Sequence, residues 1–271
     1  MLPLADPGLP AVASVKLAEY QAEIDAIADY AVRVAEAKTK FSSRNRRSDA
    51  TFRAVRDSLS IMCAGAQRCV YCEDSVGDEV EHIKPKDLYP EDVFRWPNYV
   101  YACGRCNGGK NNKFAVITPT GRRLVVTRPR GAPVTPPAAG RPAFIDPRAE
   151  DPMDFLSIDL LGTFLVLPRE DLPAEAVDRA EFTIDTLNLN RDLLLEARRN
   201  AFGGYRARLV EYRARRDAGA DAAELDALRD GLLDTPHPTI WEELKRQASD
   251  IPVIDALFAA APEARTWSIV A

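Results

Sequence analysis

The chain has 271 residues, of which 46% are hydrophobic and 28% charged, and its formal net charge is −5. This composition is typical of a globular protein that buries a sizeable core in one large domain or in two or three small ones. The first residues, "MLPLADPGLP", lack the cationic and apolar regions of a secretory signal. No apolar run approaches the roughly 20 residues that span a bilayer. We therefore expect a cytoplasmic protein without membrane contact.

The first predicted elements in the chain are two helices. Apolar residues recur at alternating steps of three and four along residues 15–38, which predicts one helix with a single apolar stripe. The stripe would pack on the chain's own core or, because its spacing is close to a heptad, form an oligomer through the N-terminal helix. A second helix is predicted over residues 49–64. Residues 65–128 read as short strands, turns and one short helix.

The rest of the chain is predicted to form a loop, a strand pair and helices. Residues 128–142 are dense in Pro and Gly, which is typical of a linker or a long irregular loop. A strand pair follows, with Gly162 near its turn. The pattern is helical from Pro173 onward, and Asn190 is predicted to be the N-cap of one of these helices.

Together these elements predict an α+β fold that is mostly helical. It would comprise an N-terminal helical region (residues 1–64), a small module (65–128), and a linker, strand pair and C-terminal helical region (129–271). The small module contains most of the chain's cysteines.

Four of the five cysteines form two CxxC pairs, "CVYC" and "CGRC". Two such pairs supply the four tetrahedral thiolates of a structural zinc site, whose binding contributes to folding. A redox role would suit a single CxxC in a βαβ context, which is absent from the sequence pattern here. The predicted zinc ligands are Cys69, Cys72, Cys103 and Cys106. Cys63 is expected to be a small buried hydrophobe.

Positive charge is concentrated in three segments despite the negative total. Residues 95–130 contain eight Lys or Arg and no acid, residues 38–56 contain seven against one acid, and residues 191–216 contain eight against three. Such a run is most often a solvated face, although local basic surface matters more for phosphate binding than net charge does. Residues 95–130 overlap the cysteine module, so we give this run the most weight as a polyanion-binding surface.

Between the cysteine pairs lies "EHIKPK" (residues 81–86), followed by "WPN" with Asn98 and by "CNGGK" with Asn107 and Lys110. This order of CxxC, acid-His, Asn and CxxC-N-x-x-K resembles the HNH nucleases, the ββα-metal or His-Me finger family, in their zinc-bearing form. The resemblance covers about residues 69–113. It implies a small ββα-metal module that hydrolyses phosphodiester bonds in DNA, with RNA as the alternative substrate.

The resemblance also implies a role for each motif residue. His82 would be the general base, since imidazole titrates near neutral pH. Glu81 and Asn107 would hold a catalytic divalent cation, Mg²⁺ or Mn²⁺, through hard oxygen ligands. Asn98 would brace the loop and help to orient the histidine. The candidate nucleic-acid contacts are Lys84, Arg105, Lys110 and Lys113.

Two departures from the family pattern bear on the cation. The acid is Glu81 where many members have Asp, which shifts the cation's position by a methylene. The third motif residue is Asn107 instead of His, which still leaves an oxygen ligand.

Residues 143–166 and 180–199 look like the region after the HNH core in the PtuB-like branch of Septu and retron anti-phage systems. That branch typically works beside an ATPase partner, so the resemblance implies an antiviral defence effector with such a partner. Two other hypotheses stay open. The chain could be a non-catalytic, zinc-dependent nucleic-acid-binding subunit of a larger assembly, or an assembly protein whose nuclease becomes competent only with its partner.

Overall fold

A computed structural model describes residues 1–269 and confirms the predicted class, an α+β fold that is mostly helical. None of the helices it describes is both long and apolar enough to cross a membrane. The helices in this range are α1 (Ala11–Asp25), α2 (Tyr30–Arg44), α3 (Ala50–Ile61), α4 (Gly104–Lys110), α5 (Ala174–Leu187), α6 (Asp192–Asp217), α7 (Ala222–Leu233), α8 (Pro238–Arg246) and α9 (Pro252–Ala260).

The strands of the described chain form three small antiparallel sheets. They are β1 (Glu79–His82), β2 (Tyr99–Ala102), β3 (Ala115–Ile117), β4 (Arg123–Val125), β5 (Arg141–Pro142), β6 (Leu156–Ile158) and β7 (Val166–Pro168). β1 pairs with β2, β3 lies between β4 and β5, and β6 pairs with β7.

Residues 11–44 form two helices, α1 and α2, where the apolar stripe predicted one, so the prediction of a single helix over residues 15–38 was wrong. α1 ends before Asp29, whose carboxylate accepts a hydrogen bond of 2.9 Å from the backbone N–H of Val32 and so caps α2. The stripe still serves core packing within the chain, because several of its members are buried. These are Leu17, Ile24 and Val34.

The second half of the chain contains the predicted loop, strand pair and helices, but the predicted cap at Asn190 was wrong. Residues 128–140 are irregular before β5, and Gly162 lies in the turn between β6 and β7. Asn190, however, does not cap α6, whose N-cap is Arg191. Its side-chain amide instead exchanges two hydrogen bonds of 2.8 Å with the backbone of Val166 at the start of β7. The Asn190 side chain is therefore bonded to the backbone of β7 and not to the backbone at the start of α6.

The hydrophobic core runs from the N-terminal helices past the β1–β2 hairpin to the C-terminal helices. α3 packs on β2, and α4 packs on β1. Phe41 and Phe52 meet edge to face at 5.5 Å, and both rings lie 6.2 Å from the ring of Tyr99 on β2. Such aromatic pairs contribute about 0.5–1.5 kcal/mol each beyond their buried area. The hairpin is thus held between α2 and α3 on one side and α4 on the other.

Candidate active site and metal centre

The strand β1 presents two acids to α4. Side chains alternate along a strand, so Glu79 and Glu81 share one face and His82 lies on the other. Each acid contacts the helix: Asn107 Nδ2 donates to Glu79 Oε2 at 2.7 Å, and Lys110 Nζ lies 2.8 Å from Glu81 Oε1. The two predicted cation ligands, Glu81 and Asn107, therefore have different partners in this structure.

The pair of Glu81 and Lys110 is buried. Lys110 is 0% exposed and Glu81 is 5% exposed. Lys110 Nζ also donates a hydrogen bond of 2.8 Å to the backbone carbonyl of His82. Burial raises the pKa of the Glu81 carboxyl, and the nearby Lys110 charge opposes that rise. Lys110, predicted as a nucleic-acid contact, here turns its ammonium group inward onto the strand.

His82 lies in an aromatic enclosure. Its ring centroid is 4.4 Å from that of Phe41 and 5.1 Å from that of Tyr99. Its Nε2 lies 3.0 Å from the carbonyl oxygen of Val93, which can only accept, so Nε2 carries the proton and Nδ1 is the basic nitrogen. Burial holds the pKa of His82 well below its usual value, and the charge of Lys86 adds to this effect. The imidazole is therefore uncharged at neutral pH.

Asn98 connects the two segments that hold His82. Its Nδ2 donates to the carbonyls of Lys84 and Asp92, both at 3.0 Å, and its Oδ1 accepts from the N–H of Lys84 at 2.7 Å. Lys84 follows His82 by two residues, and Asp92 directly precedes Val93. One buried amide thus ties the chain after the histidine to the chain that supplies its hydrogen-bond acceptor.

The four predicted zinc ligands gather in one buried cluster, with all four sulfur atoms within 4.8 Å of one another. Cys72 Sγ and Cys103 Sγ are 3.8 Å apart. A tetrahedral zinc ion with bonds of about 2.3 Å separates neighbouring sulfurs by about 3.8 Å, so the cluster fits this metal. Cys63 is buried, as predicted, and lies outside the cluster.

The cluster joins the elements that form the site. Cys69 and Cys72 precede β1, Cys103 is the N-cap of α4, and Cys106 lies in the first turn of that helix. The chain between the first pair and β1 is tightly packed: a Cβ on Gly77 would lie 2.9 Å from the carbonyl oxygen of Tyr101. A bound zinc ion would therefore fix the start of α4 against the β1–β2 hairpin.

A catalytic divalent cation would depend on few protein ligands. The cysteine cluster is the only group of three or more His, Cys, Asp or Glu ligand atoms found in residues 1–269. Mg²⁺ commonly binds through one or two carboxylates while water and phosphate oxygens complete its shell. The carboxylates of Glu79 and Glu81 and the amide oxygen of Asn107 have the chemistry that such an ion prefers.

A surface cleft lies beside these residues. It is lined by Phe41, Asn45, Arg47, Arg56, Asp78, Glu79, Val80, Lys86 and Asn107. Sequence reasoning missed Glu79 and Lys86, although the alternation of β1 and the hexapeptide "EHIKPK" contained the signal for both. Arg47 and Arg56 come from the α2–α3 region, and only the tertiary fold brings them here.

The other predicted nucleic-acid contacts lie apart from this cleft lining. Lys84 Nζ is 3.0 Å from Asp92 Oδ2 and lines a different cavity, next to Asn98. Arg105 and Lys113 are exposed.

A β-hairpin and a following helix that are joined by a buried four-cysteine cluster define a candidate metal-binding module. No family model matches the chain. The chain is similar to the Septu protein PtuB of Bacillus thuringiensis, with 39% identity over 71 residues. The similarity covers 23% of this chain and 28% of the length of that protein, so it is a local one.

Proposed function

We propose that the chain is a metal-dependent HNH endonuclease that hydrolyses phosphodiester bonds in DNA. The observation that carries this proposal is the environment of His82 on a ββα unit. The imidazole is uncharged, its Nε2–H is engaged by the Val93 carbonyl, and Asn98 ties both segments together. Because Nε2 of this histidine carries the proton, Nδ1 is the nitrogen that can accept one.

In the proposed reaction, His82 Nδ1 accepts a proton from the water that attacks phosphorus. The ring adjoins the cleft, because Phe41 both lines the cleft and contacts the imidazole. Glu81 and Asn107 would hold Mg²⁺ or Mn²⁺, which would neutralise charge on the scissile phosphate and on the leaving oxygen. Lys110 holds the Glu81 carboxylate and the carbonyl of His82, so it acts as a positioning residue in this scheme.

The nuclease proposal is tested with supercoiled plasmid at low salt, in Mg²⁺, Mn²⁺ or EDTA. We expect wild-type protein to nick or linearise the plasmid only with metal, and His82→Ala to be slower by about a hundredfold or more, because a general base contributes about 10²–10⁴ to rate. Zinc content and thermal melting of the variant establish that it is folded. Equal cleavage by a folded His82→Ala protein would remove His82 from the mechanism.

The same experiment, run on the isolated chain and on the purified complex with its partner, separates the main alternative. A zinc-dependent nucleic-acid-binding subunit would bind the plasmid and leave it intact in every metal, alone and in the complex. Such a subunit has no need of an uncharged buried histidine on a strand whose other face carries two acids, which is why the site favours hydrolysis.

We further propose that the chain is an anti-phage defence effector that works with an ATPase partner. The observation in favour is the local similarity to the Septu protein PtuB. If activity depends on such a partner, the isolated chain will not cleave plasmid, and cleavage will require the complex.

A further inference from the structure

We propose that Lys86, together with Arg47 and Arg56 of the same cleft lining, forms a subsite that binds a phosphate of the DNA backbone beside the candidate active site. This inference rests on the proposed nuclease function and names how the substrate is held. It differs from the sequence expectation, which gave the most weight to residues 95–130.

Lys86 is a half-buried cation without an ion pair in residues 1–269. Its ammonium lies 5.2 Å from the centroid of the Phe41 ring, a weak cation–π contact. The two neighbouring lysines of the motif are already paired, Lys84 with Asp92 and Lys110 with Glu81. Burial lowers the pKa of Lys86, so removal from water disfavours its charged form. An anion in the cleft would offset this cost.

Two arginines in the cleft lining add fixed positive charge. Arg56 Nη1 donates to the carbonyls of Arg46 and Phe52 at 3.2 Å, and Nη2 donates to Asn45 Oδ1. These bonds hold the guanidinium at the cleft without neutralising it. Arg47, exposed on the α2–α3 connection, adds a second charge that lacks an ion pair within the described residues.

Some basic residues of 38–56 form ion pairs within the described residues, and others do not. Three of the cations have acidic partners: Lys38 pairs with Asp87, while Lys40 and Arg44 pair with Glu23. The one acid of this segment, Asp49, caps α3 by accepting from the N–H of Phe52 at 2.9 Å. The arginines near the cleft are therefore left for an external anion.

Several basic residues in 95–130 already have intramolecular partners. Arg123 pairs with Asp178, and Arg95 lies 3.8 Å from Asp25. Arg128 donates to two backbone carbonyls, those of Asp87 and Thr135. This run is thus less free to bind a polyanion than its composition indicates.

The cleft lining carries acidic as well as basic groups. Asp78 and Glu79 contribute carboxylates from β1 and the residue before it, while Lys86 and the two arginines contribute positive charge from other segments. A phosphodiester with an associated divalent cation matches this division, since the cation faces the carboxylates and the phosphate faces the basic residues. The charge pattern favours a nucleic-acid backbone over an acidic peptide, which would bring no cation to the carboxylates.

The test measures binding of a fluorescently labelled DNA duplex by anisotropy in EDTA, over a range of salt concentrations. We expect Lys86→Met to weaken binding roughly tenfold and to reduce the slope of log K against log salt by about one, as the loss of one phosphate contact requires. Lys86→Arg should keep the affinity. Lys38→Met is the matched control and should bind as wild type does, because Lys38 is already paired with Asp87.

Each outcome bears on a different part of the proposal. A folded Lys86→Met protein with unchanged affinity and slope overturns the subsite while plasmid cleavage by the wild type still stands. Equal losses in Lys38→Met and Lys86→Met also overturn it, since they would indicate a diffuse electrostatic effect. A wild-type protein that binds duplex through Lys86 but cleaves plasmid neither alone nor in the purified complex overturns hydrolysis and keeps the subsite. Failure of the wild type to bind duplex overturns the subsite, and plasmid cleavage then decides the nuclease proposal separately.

Discussion

At the scale of single residues, the buried pair of Glu81 and Lys110 predicts a pH-dependent stability defect. Lys110→Met leaves the Glu81 carboxylate without a partner in a site that excludes water, and breaking a buried pair costs about 3–5 kcal/mol. Burial already raises the pKa of Glu81, and loss of Lys110 raises it further. Stability from a raised carboxyl pKa is present at low pH and is lost as pH rises through that pKa. Urea unfolding should therefore show a larger defect at about pH 8 than at about pH 5.

The double variant Lys110→Met/Glu81→Gln is the control for this prediction. It removes both charges, so it should recover much of the lost stability and should have a free energy of unfolding that varies less with pH. A defect of equal size at both pH values in Lys110→Met would mean that the lysine acts through packing alone.

The motif spacing identified these residues as functional candidates but did not predict their contacts. Lys110 follows Asn107 by one helical turn, which is visible in the sequence. Whether its ammonium faces a phosphate or a carboxylate depends on which acid of β1 lies beneath it, and that is decided by how α4 packs on the strand. The cysteine cluster was easier to predict, because each CxxC pair is local and zinc chemistry specifies how the two pairs must meet.

At the scale of elements, the cysteine cluster should determine whether α4 docks on the β1–β2 hairpin. Cys106→Ser is expected to lose the zinc ion and, because metal binding supplies folding free energy, to lower the melting temperature by on the order of 10 °C or more. Zinc is measured by its release to a colorimetric chelator after mercurial treatment, and unfolding by circular dichroism.

Cys63→Ser is the matched variant for this experiment. Cys63 Sγ is 3.4 Å from the carbonyl oxygen of Leu59, and burial raises the pKa of this thiol to about 12, so it is not a thiolate ligand. The Cys63→Ser protein should retain its full zinc content. Loss of zinc from it, or retention by Cys106→Ser, would contradict the four-cysteine assignment.

At the scale of the whole molecule, the fold class could be predicted and the assembled cleft could not. Helical periodicity and the turn residues predicted an α+β chain, since these signals are local. The break between α1 and α2 was missed because apolar spacing continues across it, and only the Asp29 cap marks it. The cleft joins the α2–α3 region to β1 and α4, and no local pattern reports a contact between such distant segments.

The proposed defence role predicts a phenotype that depends on both His82, the proposed general base, and Lys86, in the proposed phosphate subsite. Cells that carry the chain with its native neighbouring genes should resist phage, as measured by plaque counts, and His82→Ala should abolish that resistance at an unchanged protein level. Lys86→Met should weaken resistance through poorer DNA binding, whereas Lys38→Met should leave it intact, because Lys38 is paired with Asp87. Plasmid cleavage by the purified complex should rank the variants in the same order as phage resistance does. Full protection by His82→Ala would separate defence from hydrolysis, and protection by the chain alone would remove the need for an ATPase partner.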